Sequence, residues 1–383
     1  MLKRIIALTM TLIMALSVLA GCSSMTAGRI DPIKNNIAEV SGEIIPSDTY
    51  QYYLSNNLIN YAANILQYYG QNANMTDTLK QILSQAGEDG STIADSIKKS
   101  LMEQVKYEYA VNALCESYNL KLDATDEKTI SDNIEASIKQ YGSEENFSDL
   151  LDVFMIDIDG YKNIMANSIR YQKLVLHLFG ENGIEAKIPA QEVKDHYAKN
   201  NSLVKHILID TQASTMKLAT GETTDEYIAK KKALAEDIYK KVTNGEDYDA
   251  LLKKYGEDPG MTSSPKGYVV NASSNYVKEF QEAALNMKVG EYRLVKSDYG
   301  YHVMYRDDVF KAGEFDDLTE RINYKSKEID EIIANKLKNV DFKYNDKTLS
   351  KLDPLNIDMS KIINKYMEVS ERLEKVNTTK ESK

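Results

Sequence analysis

The stretch LVKHILI at 203–209 has the composition of a buried β-strand with one polar residue at its centre. Its apolar residues are common in strands, and the run is too short and too β-branched for a typical helix. Because side chains alternate along a strand, His206 shares a face with Val204 and Leu208. The stretch therefore predicts a buried strand that directs an imidazole to the same side as its apolar neighbours.

A second histidine lies in a predicted hairpin further along the chain. GEYRLVKSDYGYHVMYRDD (290–308) predicts strands at 291–296 and 301–306 with a turn at Gly300, and His302 lies in the second strand. If this strand pairs with 203–209 in one sheet, His206 and His302 face one side. Helices are predicted at 223–243 and 276–287, and a strand at 268–271. Together these elements predict a compact α+β unit of about 100 residues, within the usual domain size.

Helical periodicity dominates both sides of this unit. It predicts helices from 48 to a stop at Gly70 and at 92–118, 126–140, 146–155, 159–179 and 190–199, and then at 318–339 and 358–376. A helical region that is interrupted and then resumed indicates an insertion. We therefore expect an α+β fold in which a helical domain, 37–199 plus 312–376, carries an inserted domain at 200–310, with a polar tail at 377–383.

The N-terminus has the pattern of a secretory signal. Lys3 and Arg4 precede an uncharged and mostly apolar stretch, 5–20, that is too short for an ordinary membrane span. LAGC at 19–22 resembles the lipobox of bacterial lipoproteins. That resemblance implies a signal peptide at 1–21, a diacylglyceryl anchor on Cys22, a tether at 22–36 and a location outside the cytoplasm. The alternative is a signal peptide with a chance cysteine.

Composition and motifs exclude several classes of function. The 383 residues have a formal net charge of −11 and no basic stripe, which argues against nucleic-acid binding. The sequence has no zinc motif, no Gly-x-Ser-x-Gly, no Walker loop and no dinucleotide-binding glycine motif. No cofactor or metal is expected. Of the other histidines, His177 is interpreted as a packing residue and His196 as solvated surface.

Four segments, in order and spacing, resemble the parvulin peptidyl-prolyl isomerases. They are VKHILI (204–209), YGED (255–258), VKEFQEAALNMKVGE (277–291) and SDYGYHVM (297–304). The resemblance covers about 203–308. With the lipobox and the flanking helices, the whole chain resembles the PrsA-type extracytoplasmic foldase lipoproteins. The segment EVKDHYAKNNS (192–202) also resembles the stretch that leads into the isomerase domain in that group and in the SurA-like chaperones.

The resemblance implies a role for particular residues. It assigns the facing histidine pair of the family to His206 and His302, an acidic position to Asp258, and a hydroxyl bonded to the histidine network to Ser297. It assigns the apolar positions that hold the proline ring to Tyr276 and Phe280, with Val269 as a candidate for another wall of the substrate site. Tyr299, also counted with the substrate-binding residues, stands where many members of the family have a small residue. One segment departs from the family, because the usual Gly-Gly-Asp-Leu-Gly loop appears here as SPKGYVV (264–270).

The function implied is a membrane-anchored prolyl isomerase and foldase for exported polypeptides that contain X–Pro bonds. Isomerisation breaks no bond, so it needs no cofactor. Two alternatives remain. The first is a non-catalytic holdase chaperone with a degenerate parvulin domain, and the second is a solute-binding lipoprotein, for which this helix-rich sequence lacks the alternating α/β pattern. The histidine pair also has a structural alternative, in which it only links two strands. The sequence leaves open whether the protein forms a homodimer.

Overall fold

The computed structural model describes residues 29–69, 75–87, 90–212 and 215–381. Its strands, in chain order, are β1 Asn36–Val40, β2 Glu43–Pro46, β3 Asn201–Asp210, β4 Tyr268–Asn271, β5 Tyr292–Ser297, β6 Gly300–Asp307 and β7 Lys343–Tyr344. Its helices are α1 Asp48–Tyr69, α2 Met75–Leu83, α3 Ile93–Ser117, α4 Ala124–Tyr141, α5 Glu144–Val153, α6 Ile158–Phe179, α7 Ala190–Asn200, α8 Thr224–Thr243, α9 Tyr248–Tyr255, α10 Gly260–Ser263, α11 Lys278–Asn286, α12 Asp317–Tyr324, α13 Ser326–Leu337, α14 Asp346–Lys351 and α15 Met359–Glu381.

The described residues divide into two compact units. The first, called here the helical unit, comprises 29–178 and 325–381, and the second, called the sheet unit, comprises 179–324. This arrangement confirms the predicted α+β class, with a helical part made by both ends of the chain. The division differs from the expected boundaries at 199/200 and 310–312, because α7 and α12 belong to the sheet unit. Tyr197 of α7 packs against Leu203 and Val309, which ties that helix to β3.

Both ends of the chain contribute to the core of the helical unit. Local signals start its helices: Thr92 and Asp95 form a capping box at α3, and Asp123 and Asp126 form one at α4. The first strands and the late strand β7 form one small sheet in the order β2-β1-β7. Apolar residues from early and late helices share one core, including Leu58, Leu101, Leu151, Met359 and Ile362.

The helix α15 is held to α5 by a partly buried ion-pair network. Lys365, which is 4% exposed, places its Nζ 2.7 Å from Asp149 Oδ1, and Arg372 bonds to the other oxygen of the same carboxylate. These two cations hold the pKa of Asp149 below its usual value against the opposing effect of burial. The C-terminal helix is therefore an integral part of the helical unit.

The sheet unit is built on one antiparallel sheet in the order β4-β3-β6-β5. Its register pairs His206 with Met304 and Leu208 with His302. Gly300, at φ +141°, makes the tight β5–β6 turn, and a Cβ there would lie 2.2 Å from Ile209 O. Only glycine fits this position, so the predicted hairpin turn has a steric basis.

Two expectations about the C-terminal helices are wrong. The single helix expected at 318–339 is two helices, α12 and α13, separated at Lys325. The helix expected to end at 376 continues to Glu381, so the polar tail expected at 377–383 is helical over its described part. Over the described ranges, no helix is both long and apolar enough to cross a membrane. The predicted signal peptide, Cys22, the first part of the tether and Gly70 lie outside the described residues.

Candidate active site

The two strand histidines meet on one face of the sheet unit. His206 of β3 and His302 of β6 are 5% and 4% exposed, and their Nδ1 atoms are 3.0 Å apart. The antiparallel register causes this meeting, because His206 pairs with Met304 and His302 lies two residues away on the same face. The expectation that both imidazoles face one side agrees with this geometry.

Asp258 extends the pair at the His206 end. It follows α9 in the YGED segment, which is attached to β3 by a hydrogen bond from Glu257 N–H to Leu208 O, at 3.0 Å. Asp258 Oδ2 lies 2.8 Å from His206 Nε2, and Oδ1 accepts the N–H of Gly260 at 3.0 Å. The hydrogen bond with His206 is the main reason that the pKa of Asp258 is well below its usual range. Asp258 is therefore a carboxylate at neutral pH.

Ser297 completes the network at the His302 end. Its Oγ lies 2.7 Å from His302 Nε2 and accepts the backbone N–H of Tyr299 at 3.2 Å. Ser297 ends β5, directly opposite Gly300, so the tight turn positions the hydroxyl beside the ring. The four polar residues that the sequence selected thus form one continuous chain, from Ser297 through His302 and His206 to Asp258.

The direction of the hydrogen bonds in this chain depends on where its protons lie. Burial, with a smaller effect of the neighbouring His206, lowers the pKa of His302 to about 3, so this ring is neutral at pH 7. The Asp258 carboxylate only accepts, so His206 Nε2 carries a proton. If His206 is neutral, His302 Nδ1–H donates to His206 and Ser297 O–H donates to His302. If His206 also carries a proton at Nδ1, that N–H donates to His302 and His302 donates to Ser297, so both bonds are reversed. The network therefore has two arrangements that differ by one proton.

Aromatic rings form a wall beside the imidazoles. Phe280 of α11 has its ring centroid 5.0 Å from that of His206 and 5.4 Å from that of His302. Tyr276, 36% exposed, lies 5.5 Å from Phe280 by the same measure, and also 5.5 Å from Tyr268. The surface next to the histidine pair is thus apolar and aromatic, with its outer edge accessible to solvent.

Val269 is not part of this wall, and the prediction for it is wrong. β4 pairs Leu203 with Val269 and Val204 with Tyr268, so Val269 lies on the opposite face from His206. There it packs against the cluster of Tyr197, Leu203 and Val309. A one-residue change of register exchanges the two faces of a strand, and the sequence alone did not specify this register.

Tyr268 takes the position expected of Val269 and is the functional candidate that the sequence reasoning missed. Its hydroxyl donates to Asp258 Oδ2 at 2.7 Å, and burial together with this bond raises its pKa. The Tyr268 hydroxyl also lies where a Cβ on Gly260 would be, 2.0 Å away. The sequence signal that could have identified Tyr268 was strand alternation, which places Tyr268 and Val270 on the same face of the segment YVV.

Tyr299 contributes through its backbone. Its N–H bonds to Ser297 Oγ, while the residue is 45% exposed.

The altered loop at 264–270 still has a glycine where the backbone requires one. Gly267 has φ +110°, and a Cβ there would lie 2.8 Å from Val204 O. The loop therefore keeps close contact with β3 and presents Tyr268 to the site.

In the described part of the chain, no group of three or more His, Cys, Asp or Glu residues is placed to hold a metal ion. The arrangement offers an aromatic surface beside a chain of hydrogen-bonded polar groups. Such a surface suits a small apolar ring next to a peptide group.

A family model matches most of the sheet unit. Residues 190–309 match the PPIC-type PPIase domain. The sheet unit is therefore similar to PPIC-type PPIase domains.

Curated relatives extend the likeness beyond this domain. Foldase protein PrsA 4 of Bacillus cereus is 31% identical over 192 residues, which is 46% of this chain and 59% of that protein. Foldase protein PrsA 3 of Bacillus anthracis is 26% identical over 276 residues, 67% of this chain and 85% of that protein. Foldase protein PrsA of Staphylococcus aureus is 27% identical over 282 residues, 72% of this chain and 80% of that protein. The chain is thus similar to PrsA foldase proteins over a region longer than the sheet unit.

Among solved structures, the chain is similar to the peptidylprolyl isomerase PrsA of Bacillus cereus. The identity is 24%, the match covers 70% of this chain and 95% of that chain, and the TM-score is 0.26.

Proposed function

We propose that the sheet unit catalyses cis/trans isomerisation of X–Pro bonds in unfolded polypeptides. The observation that carries this proposal is the hydrogen-bonded chain of Ser297, His302, His206 and Asp258 beside the Phe280 ring. The match to the PPIC-type domain and the likeness to PrsA proteins support it. The substrate class is an extended segment whose proline ring packs against Phe280 and Tyr276.

The mechanism needs no covalent step. An X–Pro bond rotates over a barrier of about 18–20 kcal/mol because rotation destroys amide resonance. A surface that binds the twisted amide better than either planar form lowers this barrier. Phe280 and Tyr276 hold the ring, while the peptide group meets the polar network. Exclusion of water favours the twisted form, whose dipole is smaller than that of the planar amide.

Asp258 acts in this mechanism as a positioning residue. Its oxygens already accept hydrogen bonds from His206, Tyr268 and Gly260, and its pKa lies well below the usual range. A carboxylate that is so weakly basic and so fully engaged is a poor nucleophile. It fixes the orientation of His206 and keeps a proton on His206 Nε2.

The activity test uses exchange of a short X–Pro peptide, measured by NMR with the purified protein. We expect acceleration over the uncatalysed rate, and we expect His206→Ala to lower the catalysed rate by at least about tenfold, which corresponds to about 1.4 kcal/mol. His177→Ala, in the helical unit, is the matched control and keeps the activity. No acceleration by protein with a folded sheet unit contradicts the proposal and favours the non-catalytic holdase.

The holdase alternative has its own measurement. A variant that lacks 203–308, with its ends rejoined, is tested for suppression of aggregation of a proline-free client. Protection by this variant, combined with no isomerase activity in the full chain, identifies a holdase. A folded variant that gives no protection excludes it.

We also propose that the protein acts outside the cytoplasm, attached to the membrane by lipid on Cys22 and facing exported clients. The support is the sequence LAGC at 19–22 behind an apolar segment with basic residues. Two acyl chains give a stable anchor, at about 0.8 kcal/mol for each buried methylene. Expression in a lipidating bacterium with labelled palmitate tests this: label in the wild type and none in Cys22→Ala is expected. An unlabelled wild type contradicts it.

A further inference from the structure

The helical unit contains a small pocket with no assigned role. It lies among α1, α3 and α6 and has a volume of about 40 Å³. Its lining is largely tyrosine and includes one carboxylate; the relevant residues are Tyr52, Tyr53, Tyr107, Tyr161, Tyr171 and Glu108. Tyr53, Tyr107, Tyr161 and Glu108 are only partly buried, so the pocket reaches the surface. It is a pocket lined by aromatic rings and one carboxylate.

Glu108 has hydrogen-bond donors but no cationic partner. Thr49 Oγ1 and Asn167 Nδ2 both donate to its Oε2, at 2.7 and 2.9 Å, and Gln104 Nε2 reaches Oε1 at 3.4 Å. No Lys, Arg or His of the described ranges forms an ion pair with Glu108, although many surface carboxylates of this protein have such partners. The more weakly bonded oxygen, Oε1, is the one with capacity for a further donor.

The orientation of Asn167 indicates that Glu108 serves as an acceptor. Arg170 Nη1 donates to Asn167 Oδ1 at 2.9 Å, and a guanidinium only donates. The amide oxygen of Asn167 therefore faces Arg170, and its NH₂ group faces Glu108. The neighbouring residues thus present Glu108 to the pocket as a hydrogen-bond acceptor.

Its surroundings disfavour the ionised form of this acceptor. Burial raises the pKa of Glu108, because an ionised carboxylate among aromatic rings loses hydration without gaining a counter-charge. A cation that entered the pocket would supply that charge. The tyrosine rings would add cation–π attraction to it, as aromatic cages do for ammonium ligands.

We propose that this pocket binds the primary ammonium group of a lysine side chain in an extended client polypeptide. A guanidinium pairs best with both oxygens of a carboxylate, but Oε2 of Glu108 already accepts from Thr49 and Asn167. An ammonium is a compact charge that needs only the remaining oxygen. The methylene stem of lysine packs on apolar surface, and the tyrosine rings provide it. A protein of net charge −11 also suits a basic client. This site lies in the helical unit and does not depend on isomerase activity.

The test compares two labelled, proline-free peptides by fluorescence anisotropy with the full chain. One contains a single lysine, and in the other 6-hydroxynorleucine replaces it, which keeps the chain length and removes the charge. We expect at least about fivefold tighter binding of the lysine peptide, the range of a single well-placed charged contact. Equal affinity for the two peptides overturns the proposal.

Matched variants on one helix locate the effect. Glu108→Gln is expected to abolish the preference for lysine. Glu103→Gln, which removes an exposed carboxylate of α3, is expected to keep it. If folded Glu108→Gln protein retains the preference, Glu108 only links the helices α1, α3 and α6, and the proposal is wrong.

A measurement on the unaltered protein covers the case in which Glu108→Gln does not fold. n-Butylammonium, which mimics the end of a lysine side chain, should displace the lysine peptide, whereas n-butanol at equal concentration should not. Equal displacement by the two compounds, or none by either, contradicts the proposal.

Discussion

The two faces of the sheet unit come from alternate residues of the same strands but have opposite chemistry. On one face, Ile207, Ile209 and Val303 pack beneath α8 in an apolar core. On the other, His206 and His302 lie side by side, next to the apolar surface that packs against α11. Successive residues of one strand therefore contribute alternately to the apolar core and to the histidine network.

The difference shows how a small core tolerates buried imidazoles. Each ring nitrogen of His206 and His302 has a hydrogen-bond partner, and the outer partners are Asp258 and Ser297. A buried polar group without a partner is costly, whereas a fully connected network is not. The apolar face needs no such partners and depends on packing alone. Changes on the two faces should therefore have separable effects on stability and on activity.

The largest expected effect is on the apolar face. Ile238 of α8 is fully buried under the sheet, so Ile238→Ala should lower the free energy of unfolding by about 2–5 kcal/mol. Its distance from the histidines should leave kcat/KM within about twofold at a temperature where the protein remains folded. Denaturant unfolding and peptide exchange measure both quantities, and Ile238→Val, expected at about 1 kcal/mol, is the graded control. A large loss of activity without loss of stability would contradict the division of roles between the two faces.

On the network face, removing the charge of Asp258 should affect catalysis. Asp258→Asn keeps the shape but weakens the bond to His206, which should lower kcat/KM by about ten- to a hundredfold, or about 1.5–3 kcal/mol. Asp249→Asn is the control, since Asp249 is an exposed partner of Lys205. Similar activities for the two variants would show that the Asp258 charge has no role in the site.

The neutral state of His302 predicts a pH dependence of stability. The ring titrates near 6.5 in an unfolded chain and at about 3 in the folded protein. Between these values the unfolded chain binds more protons, so the free energy of unfolding falls as pH falls, by at most about 1.4 kcal/mol per pH unit. We expect this slope between pH 6.5 and 4.5 and a smaller slope in His302→Asn.

Hydrogen exchange of the peptide spanning β6, measured at several urea concentrations, isolates the sheet unit from the helical unit. Equal slopes for His302→Asn and the wild type would assign the pH dependence to other groups.

The smallest effect concerns Tyr268. Tyr268→Phe removes one of the three donors to Asp258 and should reduce kcat/KM by less than about tenfold, or about 1 kcal/mol. Tyr292→Phe, on the opposite face beside Tyr248, is the control. A loss as large as that of Asp258→Asn would make the Tyr268 hydroxyl an equal member of the network, whereas no loss would leave it only a packing role.

Much of the sheet unit was predictable because its strands and helices carry local signals. The strand expected at 268–271 is β4, and the helix expected at 223–243 is α8, within one residue. The histidine pair followed from alternation in two strands. His196 was different: it was interpreted as solvated surface, but it contacts Glu320, at 2.5 Å, and stacks on Tyr324. Its partners come from a helix more than 120 positions away, and no local pattern indicates such a contact.

The sequence alone was enough to select the candidate site residues His206, Asp258, Ser297 and His302, with Phe280 as the apolar wall. Periodicity and the family resemblance are properties of short segments, so they can be recognised without knowledge of the fold. The contact of Tyr268 with Asp258, in place of one from Val269, depends on the register of β3 with β4 and became evident only in the folded structure. The pocket lined by Glu108 and five tyrosines likewise depends on how three helices pack together. Register and helix packing depend on residues far apart in the chain, so a linear pattern does not specify them.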